Sequence, residues 1–221
     1  MSSPLSRRYR LTPEVLLRAY SAGIFPMAES RHDPSIFWVD PERRGILPMD
    51  EFHVPKRLRK TIRRGPFEVT CDTAFEAVMC ACAEPTRERR ETWINDEIIR
   101  AYTRLHHMGF AHSIECRRDD KLVGGCYGVA VGGAFCGESM FSRVTDASKV
   151  ALVHLMARLR YGDFVLVDVQ FVTDHLKTFG AVEVPAPHYL ELLDQAINVR
   201  AAFYSDLAPD ELNAALEVVM G

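Results

Sequence analysis

No apolar run in these 221 residues approaches the length of about 20 that a membrane-spanning helix requires. The segment Met1 to Arg10 carries arginines without the apolar stretch of a signal peptide, so the cytoplasm is the expected compartment. Also missing is any Cys-x-x-Cys pair, although six cysteines are present at 71, 80, 82, 116, 126 and 136. With no secretion signal to favour disulfides, these read as reduced core thiols. A metal site built on Cys80 and Cys82 is disfavoured, because residues two apart on a helix point away from each other. Neither a metal nor a cofactor is expected. The net charge of −3 excludes a polycation, and no internal repeat is visible. Hydrophobic residues at 48% and charged residues at 26% describe an ordinary globular chain, long enough for one large domain or two small ones.

Charge is nonetheless unevenly placed. Lys56, Arg57, Arg59, Lys60, Arg63 and Arg64 fall within nine residues that hold no acid, with Leu58 and Ile62 spaced to anchor one helical face. Such a helix is either a solvated surface or a phosphate-binding element. A second cluster, Arg87, Arg89 and Arg90, leads to Trp93 and favours nucleic-acid contact.

Capping and period place the elements. Thr12, Pro13 and Gly23 bracket a helix, while prolines at 26, 34, 41 and 48 make Gly23 to Asp50 an irregular wall with short strands. Asp72 and Asn95 are expected to cap two amphipathic helices, the second stopping at Gly109. The period then becomes that of strands: Ala111 to Cys116, Leu122 to Val131 and Ala134 to Glu138, an antiparallel meander. Asp146 is expected to cap a helix reaching Arg160, followed by a strand from Phe164 to Val169. Thr173 or Asp174 caps a short helix, and Pro187 and Pro209 open the last two.

Asp168 interrupts that apolar strand, and an unpaired carboxylate in a core costs several kcal/mol. Gln170, two residues on and on the same strand face, is the expected partner, donating its amide N–H to the carboxylate and aiming its carbonyl oxygen elsewhere. The pair is either a structural hydrogen bond or a device that positions an amine. Glu138, at the end of the third meander strand, is the third polar candidate. Phe135, Met140, Leu152, Leu155 and Val167 are placed by the strand–helix–strand pattern to line either a plain core or an apolar pocket. A methionine there would adapt to both aliphatic and aromatic guests.

The β-β-β-α-β order resembles the core of acetyl-CoA-dependent N-acetyltransferases. Those enzymes hold pyrophosphate on a glycine-rich loop at the helix N-terminus, whereas here the loop is Ser142-Arg143-Val144-Thr145-Asp146, without glycine and with a carboxylate at the cap. A different acyl donor is implied.

A series of blocks, in order, identifies the family. They are Gly23-Ile24-Phe25-Pro26-Met27, Phe52-His53-Val54 before the basic helix, Thr92-Trp93-Ile94, and Ala111-His112-Ser113-Ile114-Glu115. Leu122-Val123-Gly124-Gly125, Tyr127-Gly128-Val129, Gly137 to Ser142, Ala147-Ser148-Lys149, Asp168 with Gln170, and His175-Leu176 before Gly180-Ala181 follow. Together they resemble the leucyl/phenylalanyl-tRNA–protein transferases, over most of the chain. Ala28 and the stretch Phe37-Trp38-Val39-Asp40 depart from the family's tryptophan-rich pattern, and the tail from about Asn198 lies outside the motifs.

The resemblance implies an α+β fold with a mixed, largely antiparallel sheet. Residues 66–221 would form an N-acetyltransferase-like catalytic domain, and residues 1–65 a smaller N-terminal α/β domain carrying the basic helix. It implies transfer of Leu or Phe from leucyl- or phenylalanyl-tRNA to the α-amino group of proteins with N-terminal Arg or Lys, marking them for N-degron degradation. Gln170 would hold the attacking amine through its carbonyl oxygen, Asp168 would orient Gln170 and favour proton loss, and Glu138 would orient the amine or the ribose. Glu138 and Asp168 would also supply the carboxylates that an N-terminal Arg or Lys calls for. Trp93 or Trp38 would stack on the terminal adenine, and the six cations from Lys56 to Arg64 would meet acceptor-stem phosphates. Two other classes remain open from the residues: a CoA-dependent N-acyltransferase and a noncatalytic tRNA-binding module.

Overall fold

A computed structural model describes residues 11–86 and 90–221. Arg87 and Arg89 of the expected second basic cluster lie outside the described residues, as do the first ten positions. Three expected caps form. Thr12 Oγ1 accepts from the Val15 N–H to open α1 (Pro13–Ser21), Asn95 from Ile98 to open α4 (Asp96–His107), and Thr173 from Leu176 to open α6 (Asp174–Lys177).

Two expected caps do not form. Asp72 has φ 57 and precedes α3 (Phe75–Cys82), whose cap position is Ala74. Its carboxylate turns instead to the sheet, accepting from the Ser113 N–H at 2.8 Å and lying 2.7 Å from His112 Nδ1. Asp146 does stand at the cap of α5 (Ala147–Tyr161), but with φ 68 and no capping bond, and it pairs with Lys149 at 3.4 Å. A capping side chain reaches the first turn from an extended backbone, which the left-handed conformation denies both residues.

The main sheet has the order β4 (Glu68–Cys71), β5 (Ala111–Arg118), β6 (Lys121–Val131), β7 (Ala134–Ser142), β8 (Leu166–Gln170), β3 (Arg43–Ile46), β9 (Val182–Pro185). Every pairing is antiparallel except β7 with β8. The fold is therefore α+β, with the expected meander and one parallel crossover through α5. Strand β3 comes from the first 65 residues yet sits between β8 and β9, so the segment expected as a separate small domain contributes to the main sheet. A second, two-stranded sheet joins β1 (Phe25–Met27) and β2 (Phe37–Val39).

Helix α5 is buried from Ala147 to Leu159 nearly all round. The sheet covers one side of it, and α2 (Lys56–Arg64) and α8 (Pro209–Met220) the other. Its close approach requires Gly124, where a Cβ would fall 2.4 Å from that of Ala147. One core lies around α5; a second lies on the opposite face, around Leu16, Tyr20, Phe75, Ile98 and Tyr102. Helix α7 (Ala186–Ile197) closes a third, smaller cluster against Leu166 and Ile46.

Candidate active site

Strands β7 and β8 pair only from Ala134↔Leu166 to Cys136↔Asp168 and then separate. The gap between them opens a cleft of about 570 Å³. Its walls belong to both cores. Met140, Leu152, Leu155, Val167, Val169 and Leu176 line the α5 side, and Phe25, Met27 and Trp93 the other.

A β-bulge stands on each bank. Across β6 and β7, Tyr127 faces Ser139 and Gly128 faces Gly137, leaving Glu138 as the extra residue. Across β3 and β8, Ile46 faces Asp168 and Gly45 faces Gln170, leaving Val169 unpaired. Gln170 itself adopts φ 55. Bulges break the two-residue alternation and re-aim side chains. Here they bring Glu138 and Gln170 to the cleft while Asp168 stays behind its wall.

Asp168 is 0% exposed and accepts four hydrogen bonds. Arg44 donates from Nε at 2.9 Å and from Nη2 at 2.6 Å, the Tyr189 hydroxyl at 2.9 Å, and the Gln170 backbone N–H at 2.8 Å. The Gln170 amide was the expected partner. The bulge turns that side chain away, and a buried carboxylate is better matched by a guanidinium fork than by one neutral donor. Neither does Asp168 reach the cleft to meet a substrate cation. Arg44 is locked in turn: its Nη1 donates to the Gly23 carbonyl at 2.8 Å, and its guanidinium lies 4.7 Å from the Phe25 ring centre and 4.6 Å from that of Tyr189. Gln170 is buried, and its Nε2 has no protein partner among the described residues.

Glu138 is surrounded differently. The Tyr20 hydroxyl donates to Oε1 at 2.7 Å, and the Tyr102 hydroxyl donates to that of Tyr20 while lying 3.4 Å from Oε2. Burial raises the Glu138 carboxyl to about 8, opposed by the Tyr20 hydrogen bond and reinforced by the nearby Asp168 charge. Burial likewise lowers His175 on the cleft wall below its ordinary value, with Lys149 adding to the effect.

Of the other expected site residues, Met140, Leu152, Leu155, Val167 and Trp93 line the cleft. Phe135 is not among its lining residues; it is fully buried, packed edge-on against Phe164 and stacked with Phe203. Trp38 is 40% exposed on β2 and also stands apart from the cleft lining. The six cations lie on α2, outside the cleft. Lys56, Arg57, Lys60 and Arg64 are exposed, Arg63 pairs with Glu217 at 3.0 Å, and Arg59 donates to the carbonyls of Val54 and Gly221. Thus the unassigned tail returns, as α8, to hold the basic helix. Arg44, Tyr20, Tyr102 and Tyr189 were not foreseen; the demand of a buried carboxylate for a cation is the one signal that points to Arg44.

Among the described residues no helix is long and apolar enough to cross a membrane, and no cluster of three His, Cys, Asp or Glu side chains is arranged to hold a metal. A solved structure, the C-terminal domain of a putative lysylphosphatidylglycerol synthetase from Agrobacterium fabrum, gives a TM-score of 0.40. It is 14% identical, over 87% of this chain and 73% of that one, a likeness too slight to argue from. Sequence relatives are much nearer. The leucyl/phenylalanyl-tRNA–protein transferase of Paramagnetospirillum magneticum is 59% identical over 193 residues, covering 87% of this chain and 92% of the relative. That of Nitrobacter winogradskyi is 58% identical over 193 residues, covering 87% and 86%. The profile of leucyl/phenylalanyl-tRNA protein transferases matches residues 46–194 and that of their N-terminal domain residues 9–42, so the chain belongs to this transferase family.

Proposed function

We propose that the chain moves leucine or phenylalanine from aminoacyl-tRNA to the α-amino group of proteins beginning with Arg or Lys, marking them for N-degron degradation. The observation that carries this reading is the two-sided cleft, apolar on the α5 side and bordered by Trp93 on the other, with Glu138 and Gln170 between. The amino-acid side chain enters among Met140, Leu152, Leu155 and Val167, and the terminal adenine stacks on Trp93. A dry apolar slot separates leucine from phenylalanine by only about 1–3 kcal/mol, so both are accepted.

The amine attacks the ester carbonyl, the tetrahedral adduct collapses, and the bond to the ribose oxygen breaks. The proton lost by nitrogen is the one the ribose oxygen gains. Glu138, raised to about 8, is matched to an α-amino group with a pKa near 8 and passes that proton with little loss of free energy. In its ionised form it is also the cleft carboxylate toward which the cationic acceptor turns. The Gln170 side chain offers a carbonyl oxygen to the amine and a free N–H to the ester oxygen. Asp168, saturated by four donors, acts through the position of Gln170. Holding the reactants together supplies much of the rate, since near-attack placement replaces about 7 kcal/mol or more of barrier in favourable cases. Lys56, Arg57, Lys60 and Arg64 meet tRNA phosphates.

The test is transfer of labelled leucine from leucyl-tRNA to a peptide beginning with arginine, beside an alanine-initiated peptide and labelled acetyl-CoA. Label on the arginine peptide alone is expected. Label from acetyl-CoA, or no transfer while tRNA still binds, overturns the reading.

A further inference from the structure

A second cavity, of about 370 Å³, lies where α2, β4, α5 and α8 meet. It shares no lining residue with the cleft. Helix α5 serves both: Ser148, Leu152 and Leu155 face the cleft, while Val150 and His154 face the second cavity. Ile62, Pro66, Phe67, Val69 and Leu216 form apolar walls around three polar features.

The first is His154, 8% exposed, whose Nδ1 is buried with no hydrogen-bond partner among the described residues. An unpaired buried ring nitrogen costs free energy unless a ligand or water satisfies it. Burial, with help from the Arg158 charge, lowers His154 to about 4, so the imidazole is neutral and offers one donor and one acceptor. The second is the Asn213 side chain, exposed and without a hydrogen bond among the described residues, which brings another donor and acceptor. The third is the rim, where Arg63 and the Glu217 carboxylate, paired at 3.0 Å, both line the cavity, and exposed Arg64 follows just outside it.

A ligand suited to this site has an apolar body, an edge carrying donors and acceptors, and a neighbouring anion. We propose that this cavity takes an unpaired nucleobase of the RNA donor, its edge on His154 and Asn213 and its phosphate on exposed Arg64 at the end of α2. The proposal rests on the transferase reading for the identity of the RNA. It adds an anchor remote from the reacting ester, so the cavity contributes to holding the tRNA body and not to chemistry at the amine. Free fatty or aliphatic molecules would leave both polar groups unmet, and a bare anion would leave the apolar walls empty.

Two measurements test it. In the first, His154→Phe and Asn213→Ala are combined and transfer is measured from leucyl-tRNA and from a minimal donor, 3′-leucyl-adenosine, which has no RNA body. The KM for leucyl-tRNA is expected to rise by about tenfold, the scale of one lost base contact, with turnover of the minimal donor retained as proof of an intact fold. An unchanged KM for leucyl-tRNA overturns the proposal. If the wild-type protein uses neither donor, it is the transferase reading that fails, and the comparison is then made on tRNA binding alone. The second follows the imidazole resonance of His154 in the full protein during titration with adenosine monophosphate and with inorganic phosphate. A shift with the nucleotide only is expected, and an equal shift with phosphate would make this an anion site instead.

Discussion

Arg44 and Asp168, separated by 124 positions in the chain, meet as a fork-to-fork ion pair with both side chains at most 2% exposed. Through the Gln170 N–H, the same carboxylate fixes the residue that turns into the cleft. Breaking one side of such a pair strands a buried charge, which typically costs about 3–5 kcal/mol. Arg44→Met should therefore lower the urea-unfolding free energy by that amount. Arg44→Met combined with Asp168→Leu should recover most of it, because a buried pair is often no more stable than an apolar replacement. Transfer activity should not return with stability, since the anchor of Gln170 is gone. A double variant as unstable as the single one would refute this account.

Glu138 links pH to stability. Its carboxyl ionises near 4.5 in the unfolded chain and near 8 in the fold, so between these values the native state holds a proton that the unfolded chain has lost. Stability from this group is greatest at low pH and falls as pH rises through the window, by up to about 1.36 kcal/mol per pH unit, then levels off above 8. Glu138→Gln should flatten that decline when urea midpoints are compared from pH 5 to pH 9. An identical slope in the variant would mean the carboxyl is ionised throughout.

What the sequence made legible was local. The caps at Thr12, Asn95 and Thr173 and the alternation of the meander are decided within a few residues, and they appear as expected. Asp72 and Asp146 have the right chemistry for caps but the wrong backbone, and no local pattern reports a positive φ at a non-glycine residue. The bulges at Glu138 and Val169 exist only once neighbouring strands pair, so the period of two misled the reading of Asp168 and Gln170 as same-face partners. Arg44 was hidden because its partner lies across the sheet, and Tyr20 because it reaches Glu138 from a helix 118 positions away.

Tyr20 tunes Glu138 by a single hydroxyl. Its hydrogen bond stabilises the ionised carboxylate and so opposes the upward effect of burial. Tyr20→Phe keeps the ring and removes that donor, which should raise Glu138 further, by up to about one pH unit if the bond is of ordinary strength. The limb of kcat/KM against pH that reports Glu138 ionisation should move upward by the same amount. The α-amino group of the peptide titrates nearby but is the same in both proteins, so its limb should stay fixed. If the profiles coincide, Glu138 is not the group that titrates in the reaction.

The basic helix divides into cations that face solvent and cations already engaged. Lys60 and Arg64 are exposed, whereas Arg59 spans from the Val54 carbonyl to that of Gly221 and joins α2 to the end of α8. Each phosphate contact contributes about 0.9 to the slope of log K against log salt for a duplex. Lys60→Ala and Arg64→Ala should each reduce that slope by about one in tRNA-binding titrations, weakening all tRNA sequences alike and leaving the urea midpoint within error. Arg59→Ala should do the reverse, lowering the midpoint through loss of its two carbonyl contacts while the salt slope holds. A slope unaffected by removing both exposed cations would place the RNA on another face of the protein.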